Sequence, residues 1–205
     1  MQADSSAPTV QDSHFWEERY QTGSSRWDLG QPAPAFLQLL ESPEAPAPGR
    51  LLVLGCGRGH DALAFAERGF QVVGVDFAPS AIAAAQEAAQ ARGLTVEFRQ
   101  QDIFGLPEAF TGAFDYVAEH TCLCALDPSQ RPAYVDLVRS LLKPGGELLA
   151  VFFTHGRPGG PPFDITRAEI CDRFAPAFEI VRLEPVIGSV AERAGEEHWG
   201  RLRRR

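Results

Sequence analysis

Apolar residues fall in short runs separated by stretches with helical spacing. Arg50–Leu54 (RLLVL) is a continuous run, as a strand covered on both faces shows. Glycines follow at alternate positions, Gly55, Gly57 and Gly59, and then a helical pattern over His60–Arg68 closed by Gly69. Phe70–Val75 is a second run and ends in Asp76. Pro79 opens an alanine-rich helix over Ser80–Arg92, stopped by Gly93. Leu94–Arg99 alternates and predicts a third strand, with Asp102 just beyond it. Phe104–Ala113 reads as a loop and Phe114–Ala118 as a fourth strand. A helix follows from about Gln130 to Leu142, with Pro132 in its first turn. Lys143–Gly146 reads as a turn before an apolar fifth strand, Glu147–Phe153. Thr154–Asp164, rich in proline and glycine, is a loop. Thr166-x-x-Glu169 is a capping box for a helix to about Pro176. Phe178–Leu183 and Trp199–Arg203 are the last strands, with Val190–His198 irregular between them.

Ahead of the first strand the pattern is helical and aromatic. Asp12 or Ser13 caps a helix through about Gln21, with Trp16 and Tyr20 on one face. Gly23–Ser25 breaks it, Trp27-Asp28-Leu29-Gly30 follows, and Pro32 or Pro34 starts a helix over Ala35–Glu41. Ser42–Gly49 is a proline-rich connector. Residues 1–12 have no periodicity and are expected to be disordered; they lack the basic and apolar regions of a signal peptide. Strands alternating with helices predict an α/β fold: a doubly wound, mostly parallel, seven-stranded Rossmann-like sheet. The short last connection predicts an antiparallel hairpin at one edge. Residues 13–205 form one domain, with helices over 13–47 ahead of an α/β core over 50–205.

Composition narrows the partners. The 205 residues are 44% hydrophobic and 22% charged, with net charge −8, which disfavours nucleic acid. Arg201–Arg205 reads as a final edge strand and a frayed tail. No apolar stretch approaches the ~20 residues needed to span a bilayer. The four cysteines, Cys56, Cys122, Cys124 and Cys171, lack zinc-site spacing. No metal is expected, and reduced thiols fit a cytoplasmic protein.

The candidate chemistry sits at the strand ends. Glycine takes positive φ and lets a ligand approach the backbone. Asp76 at the tip of the second strand suits a ribose diol. The pattern is Gly-x-Gly-x-Gly, unlike the dinucleotide fingerprint. Asp61 in the first helical turn repels a pyrophosphate but accepts an amine or sulfonium. Ligands in such sheets bind beyond the carboxyl ends of the strands, which gathers Gly55, Asp76, Asp102, Glu119 and His120 at one rim. A plain strand–helix turn with a solvated Asp76 is the alternative.

VLGCGRGHD, VVGVD and LLKPGGELLAV resemble motifs of the class I S-adenosylmethionine-dependent methyltransferases. WEERYQTGSSRWDLGQPAP, HTCLCALDPSQRPAY and GGPPFDIT resemble the thiopurine methyltransferase superfamily, most of all its thiol, thiocyanate and halide branch. The resemblance runs from about Phe15 to the C-terminus. It implies an aromatic lid of Trp16, Tyr20 and Trp27 over the cofactor. Leu54, Gly55, Cys56, Gly57 and Asp61 surround its methionine part. Asp76, with Phe77 beside it, takes the ribose hydroxyls, and Asp102 and Ile103 flank the adenine. Glu119 and His120 border the methyl-transfer site. Plant members usually carry tryptophan in place of Tyr20, and aspartate and tyrosine in place of Glu119 and His120.

The implied reaction moves a methyl group from S-adenosylmethionine to a small soft nucleophile by in-line displacement, leaving S-adenosylhomocysteine. Iodide, bisulfide and thiocyanate attack directly, whereas a thiol must lose a proton. His120 is the candidate proton acceptor or acceptor-orienting group, unless it only bonds a backbone carbonyl. His60 and His155 are weaker candidates; His14 and His198 are expected to be exposed. Cys122 and Cys124 are expected to pack. Thiopurines and selenium or tellurium oxyanions are alternative acceptors, and an NAD-dependent oxidoreductase is the alternative enzyme class. A monomer or weak dimer is expected.

Overall fold

A computed structural model describes residues 9–205. The disorder expected of residues 1–12 falls mostly outside the described residues; 9–12 form a turn closed by the Asp12 amide on the Thr9 carbonyl. Two helices precede the sheet. The first, α1 (Ser13–Gln21), is capped by Asp12, whose carboxylate accepts from the His14 amide. The second, α2 (Pro34–Glu41), has proline in its first turn and buries Phe36, Leu39 and Leu40.

The chain then alternates: β1 (Arg50–Leu54), α3 (His60–Glu67), β2 (Gln71–Asp76), α4 (Pro79–Ala91), β3 (Glu97–Gln100), α5 (Pro107–Phe110), β4 (Phe114–His120), α6 (Arg131–Leu141), β5 (Leu142–Phe153), α7 (Arg167–Phe174), β6 (Phe178–Pro185) and β7 (Glu197–Arg204). The seven strands lie in the order β3-β2-β1-β4-β5-β7-β6. β7 runs antiparallel to both neighbours, β5 and β6, and the other pairs are parallel. Successive side chains of a strand point to opposite faces, so β1 divides its residues between two cores. Leu51 and Val53 pack with Phe36, Leu63 and Phe65 beneath α2 and α3, while Leu52 and Leu54 pack with Val117, Tyr134 and Val138 beneath α6. The order reverses between β1 and β4, and the crevice at their carboxyl ends is where such sheets take ligands.

Four local readings are corrected. The loop expected over Phe104–Ala113 holds a 3₁₀ turn (Ile103–Gly105), capped by Asp102, and then α5, started by Pro107. A helix of one turn is too short for its periodicity to register. The expected turn Lys143–Gly146 is a bulge inside β5: Phe114 faces Leu142, and Tyr116 already faces Glu147. The capping box is half formed. Thr166 accepts from the Glu169 amide, but the Glu169 carboxylate is drawn to Arg131 at 2.9 Å and Arg173 at 2.6 Å. Finally, β7 is not an edge strand with a frayed tail; it lies between β5 and β6. Its arginines are held in place, Arg201 and Arg203 on the buried Glu147 at 2.8 and 3.1 Å, and Arg204 on the Leu142 carbonyl.

Candidate active site

The glycine loop carries positive φ at Gly55 (60°), Gly57 (52°) and Gly59 (82°). A side chain at Gly57 would place its Cβ 2.9 Å from the Tyr20 hydroxyl, so the loop is shaped to receive the N-terminal segment. The Gly57 amide donates to Asp76 Oδ2 at 2.8 Å and the Ala78 amide to Oδ1 at 2.9 Å. Burial raises the Asp76 pKa against the pull of these amides. Each oxygen retains a lone pair for a ligand hydroxyl.

Three carboxylates tie the N-terminal segment to this loop and to α3 and α4 beside it. Glu17 accepts from the Ser80 amide and hydroxyl at 3.0 and 2.9 Å. Asp28 accepts from Arg58 at 2.9 Å and His60 at 3.2 Å. The His60 hydrogen bond, aided by the Gly30 amide and both nearby charges, outweighs burial and holds the Asp28 pKa at about 2. Asp61 accepts from the Ala33 amide at 2.7 Å. The aromatic side chains interlock above: Trp27 Nε1 donates to the Tyr20 hydroxyl at 3.0 Å, and Trp16 and Trp27 meet edge to face at 5.3 Å.

At the end of β4 the chain turns sharply, with Thr121 at φ 61°, a strained value for a β-branched residue. Glu119 braces the turn from below. Its Oε2 accepts from the Cys122 and Leu123 amides, both at 2.9 Å, while Oε1 has no partner. Burial outweighs those amides and raises the Glu119 pKa to about 7. Burial likewise pushes the Cys56, Cys122 and Cys124 thiols up, so none is a ready thiolate.

Both ring nitrogens of His120 are engaged. Nδ1 lies 3.2 Å from Asp61 Oδ2, and Nε2 lies 2.8 Å from Arg193 Nη1 and 3.7 Å from Glu197 Oε1. Burial opposes a charged ring, but the Asp61 and Glu197 carboxylates prevail over it and over Arg193, raising the His120 pKa to about 9. The charged ring carries an N–H on Nε2, so the Arg193 contact at this distance belongs to the neutral ring with its proton on Nδ1. Arg193 is itself buried and donates from Nη2 to the Trp27 carbonyl at 2.7 Å.

A cavity of about 920 Å³ runs through these parts, near the upper end of the ~300–1,000 Å³ common for small-molecule sites. Trp16, Tyr20, Trp27, Gly55, Asp76, Phe77, Asp102, Ile103 and His120 all line it. Cys56, Gly57 and Asp61 line a second, smaller pocket across Tyr20 and Trp27. Two expected site residues lie behind the walls: Leu54 is fully buried in the core, and Glu119 is fully buried beneath the turn it braces. His198 is not exposed as expected; it is half-buried, with Nδ1 2.8 Å from the Thr154 hydroxyl.

Arg157 and Arg193 also line the cavity and were not among the expected site residues. Arg193 ends a 3₁₀ turn (Ala191–Arg193) within the stretch read as irregular. Its one legible sign is the spacing to Glu197, four residues on, with which it pairs at 3.3 Å. Among the described residues no cluster of three or more His, Cys, Asp or Glu is placed to hold a metal, and no helix is long and apolar enough to cross a membrane.

Residues 11–203 match the model of the family described as thiopurine S-methyltransferase (TPMT). The chain belongs to the thiopurine S-methyltransferase family. Thiocyanate methyltransferase 1 of Brassica oleracea is 34% identical, across 96% of this chain and 88% of the relative. Probable thiol methyltransferase 2 of Arabidopsis thaliana is 33% identical, across 92% and 84%. A solved structure titled "Conversion of a Disulfide Bond into a Thioacetal Group during Echinomycin Biosynthesis" superposes with TM-score 0.79 at 25% identity, covering 94% of this chain and 92% of that one. The chain is therefore an S-adenosylmethionine-dependent methyltransferase with the Rossmann-like fold of its family, and the oxidoreductase alternative falls.

The residues present fit S-adenosylmethionine. Gly55 brings side-chain-free backbone to the cavity wall, and the same wall carries the Asp76 carboxylate with lone pairs to spare.

Proposed function

We propose that the acceptor is a small, soft, anionic nucleophile: a thiolate, bisulfide, thiocyanate or halide. One observation carries this reading. Two arginines that line the cavity, Arg157 and Arg193, both stand over the Phe153 ring, and His120 lies 2.8 Å from Arg193, so basic and aromatic side chains share one wall, with Glu192 the acid that lines the cavity beside Arg193. The names of the relatives point the same way. In the closed arrangement both ring nitrogens of His120 are engaged, Nδ1 on Asp61 and Nε2 on Arg193, so the ring acts by position, and a thiol reaches the site already ionised.

In this reading Asp76 holds the cofactor's ribose and Asp102 and Ile103 flank its adenine. Asp102 spends one oxygen on the Phe104 amide at 2.9 Å, which leaves the other available to an amino group. The cofactor supplies a methyl group activated on a sulfonium. Trp16, Tyr20 and Trp27 form the lid, exclude water and offer π faces to a cation, worth about 0.5–2 kcal/mol. Arg193 draws in the anion and, with the His120 ring beside it, aligns it. Loss of charge as the product forms favours a site kept dry.

Headspace analysis of purified protein with S-adenosylmethionine and, separately, iodide, bisulfide, thiocyanate and an aryl thiol tests the reading. Volatile methyl products from the small anions are expected. Turnover of thiopurines or of selenium and tellurium oxyanions alone would overturn it.

A further inference from the structure

The polar contacts of His120 form a closed ring that begins and ends on the lid backbone. The Ala33 amide donates to Asp61 Oδ1 at 2.7 Å, and Asp61 Oδ2 meets His120 Nδ1 at 3.2 Å. His120 Nε2 meets Arg193 Nη1 at 2.8 Å, and Arg193 Nη2 donates to the Trp27 carbonyl at 2.7 Å. Residues 27–33 of the backbone complete the circuit. We propose that Asp61, His120 and Arg193 are positioning residues that clasp the lid shut, so that lid closure and the setting of the acceptor wall are one event. The inference rests on the reading of Trp16, Tyr20 and Trp27 as a lid.

The ring has a defined proton order. Asp61 accepts from both sides, so the His120 proton sits on Nδ1 and Nε2 is the acceptor for Arg193. Charging the ring sets two N–H groups against each other and opens the circuit at that link. The charged groups facing His120 are Asp61 of α3, Glu197 of β7, Arg193 and, from within β4, Glu119; α2 presents only the Phe36 ring. Asp61 and Glu197 favour the charged ring, so the clasp closes as the pH rises through the His120 titration.

Two substitutions break the ring while keeping its shape or charge. Asp61→Asn leaves an oxygen for the Ala33 amide but turns an N–H toward His120, which forces the ring proton to Nε2, against Arg193. Arg193→Lys keeps the charge but loses the fork that reaches His120 and Trp27 together. The reporters are Trp16 and Trp27 in the lid, since the third tryptophan, Trp199, is buried in the core. Acrylamide quenching of the cofactor-free protein reads lid closure, and calorimetry with S-adenosylhomocysteine reads its effect on binding.

At about pH 9.5, where the ring is mostly neutral, both variants should quench more than the native protein and bind S-adenosylhomocysteine about ten-fold more weakly. The double variant should be no weaker than either single one, because a ring is opened only once. At about pH 6 native protein and variants should coincide. Native-like quenching in the variants at the higher pH, or additive losses, would overturn the clasp. Should Asp61→Asn fail to fold, the quenching of Arg193→Lys decides alone, with native-like behaviour overturning the proposal. Native protein that shows the quenching pattern but binds no S-adenosylhomocysteine would sustain the clasp and sink the cofactor reading.

Discussion

Asp76 spends both carboxylate oxygens on backbone amides and still lines the cavity, so in the proposed reading it serves the fold and the ligand together. Asp76→Ala should abolish binding of S-adenosylhomocysteine in calorimetry while the sheet keeps its native circular dichroism; tight binding would refute the ribose assignment. His120 is a different case. The sequence marks it by position, at the tip of β4, and by a titration range suited to a base. Its partners lie far away in the chain, at Asp61, Arg193 and Glu197, and they engage both ring nitrogens, which supports the proposed positioning role. His120→Phe should therefore lower turnover of iodide and of an aryl thiol by similar factors, measured below the thiol pKa, where a base would be needed. A loss confined to the thiol would restore the base. The placement of the glycines and of Asp76 at strand ends was legible because it is local to one turn. Arg193 was not, because its importance comes from a fold that brings a late 3₁₀ turn against the N-terminal segment.

At the scale of elements, β1 was read to the residue, since a continuous apolar run stopped by glycine has two clear ends. The one-turn α5 and the bulge in β5 left no periodic signal. The placing of β7 inside the sheet depended on contacts that no local pattern carries. Glu147 is the residue that makes this position tenable. It is buried and pairs with both Arg201 and Arg203 of the neighbouring strand. Glu147→Ala should destabilise the protein by roughly 1–3 kcal/mol in urea unfolding, since it strands two half-exposed cations beside apolar neighbours. A change within error would mean that backbone pairing alone holds β7.

For the whole molecule, Glu119 sets a pH dependence. Its folded pKa of about 7 lies above the ordinary 4.5. Its contribution is complete below the unfolded value, where both states are protonated, and is lost as pH rises towards 7, because the unfolded chain ionises first. The loss should reach roughly 3 kcal/mol. Urea titrations across that range should show stability falling in the native protein, and Glu119→Gln should flatten the slope; an unchanged slope would assign it elsewhere.

The proline-rich stretch Ser42–Gly49 joins α2 to β1, and α2 keeps Phe36, Leu39 and Leu40 buried in the core. Anchored there, the proposed lid, the segment that carries Trp16, Tyr20 and Trp27, stays at high local concentration when displaced and finds its seat again without searching solution. In that reading, opening for exchange of cofactor and product costs the polar links, the edge-to-face aromatic contacts and the packing of Tyr20 on Ala78 and Ala81, while α2 and β1 stay in place. Calorimetric melting follows the sheet and is blind to this gating. Two homologues with the same melting temperature can therefore differ widely in how long they retain a spent cofactor.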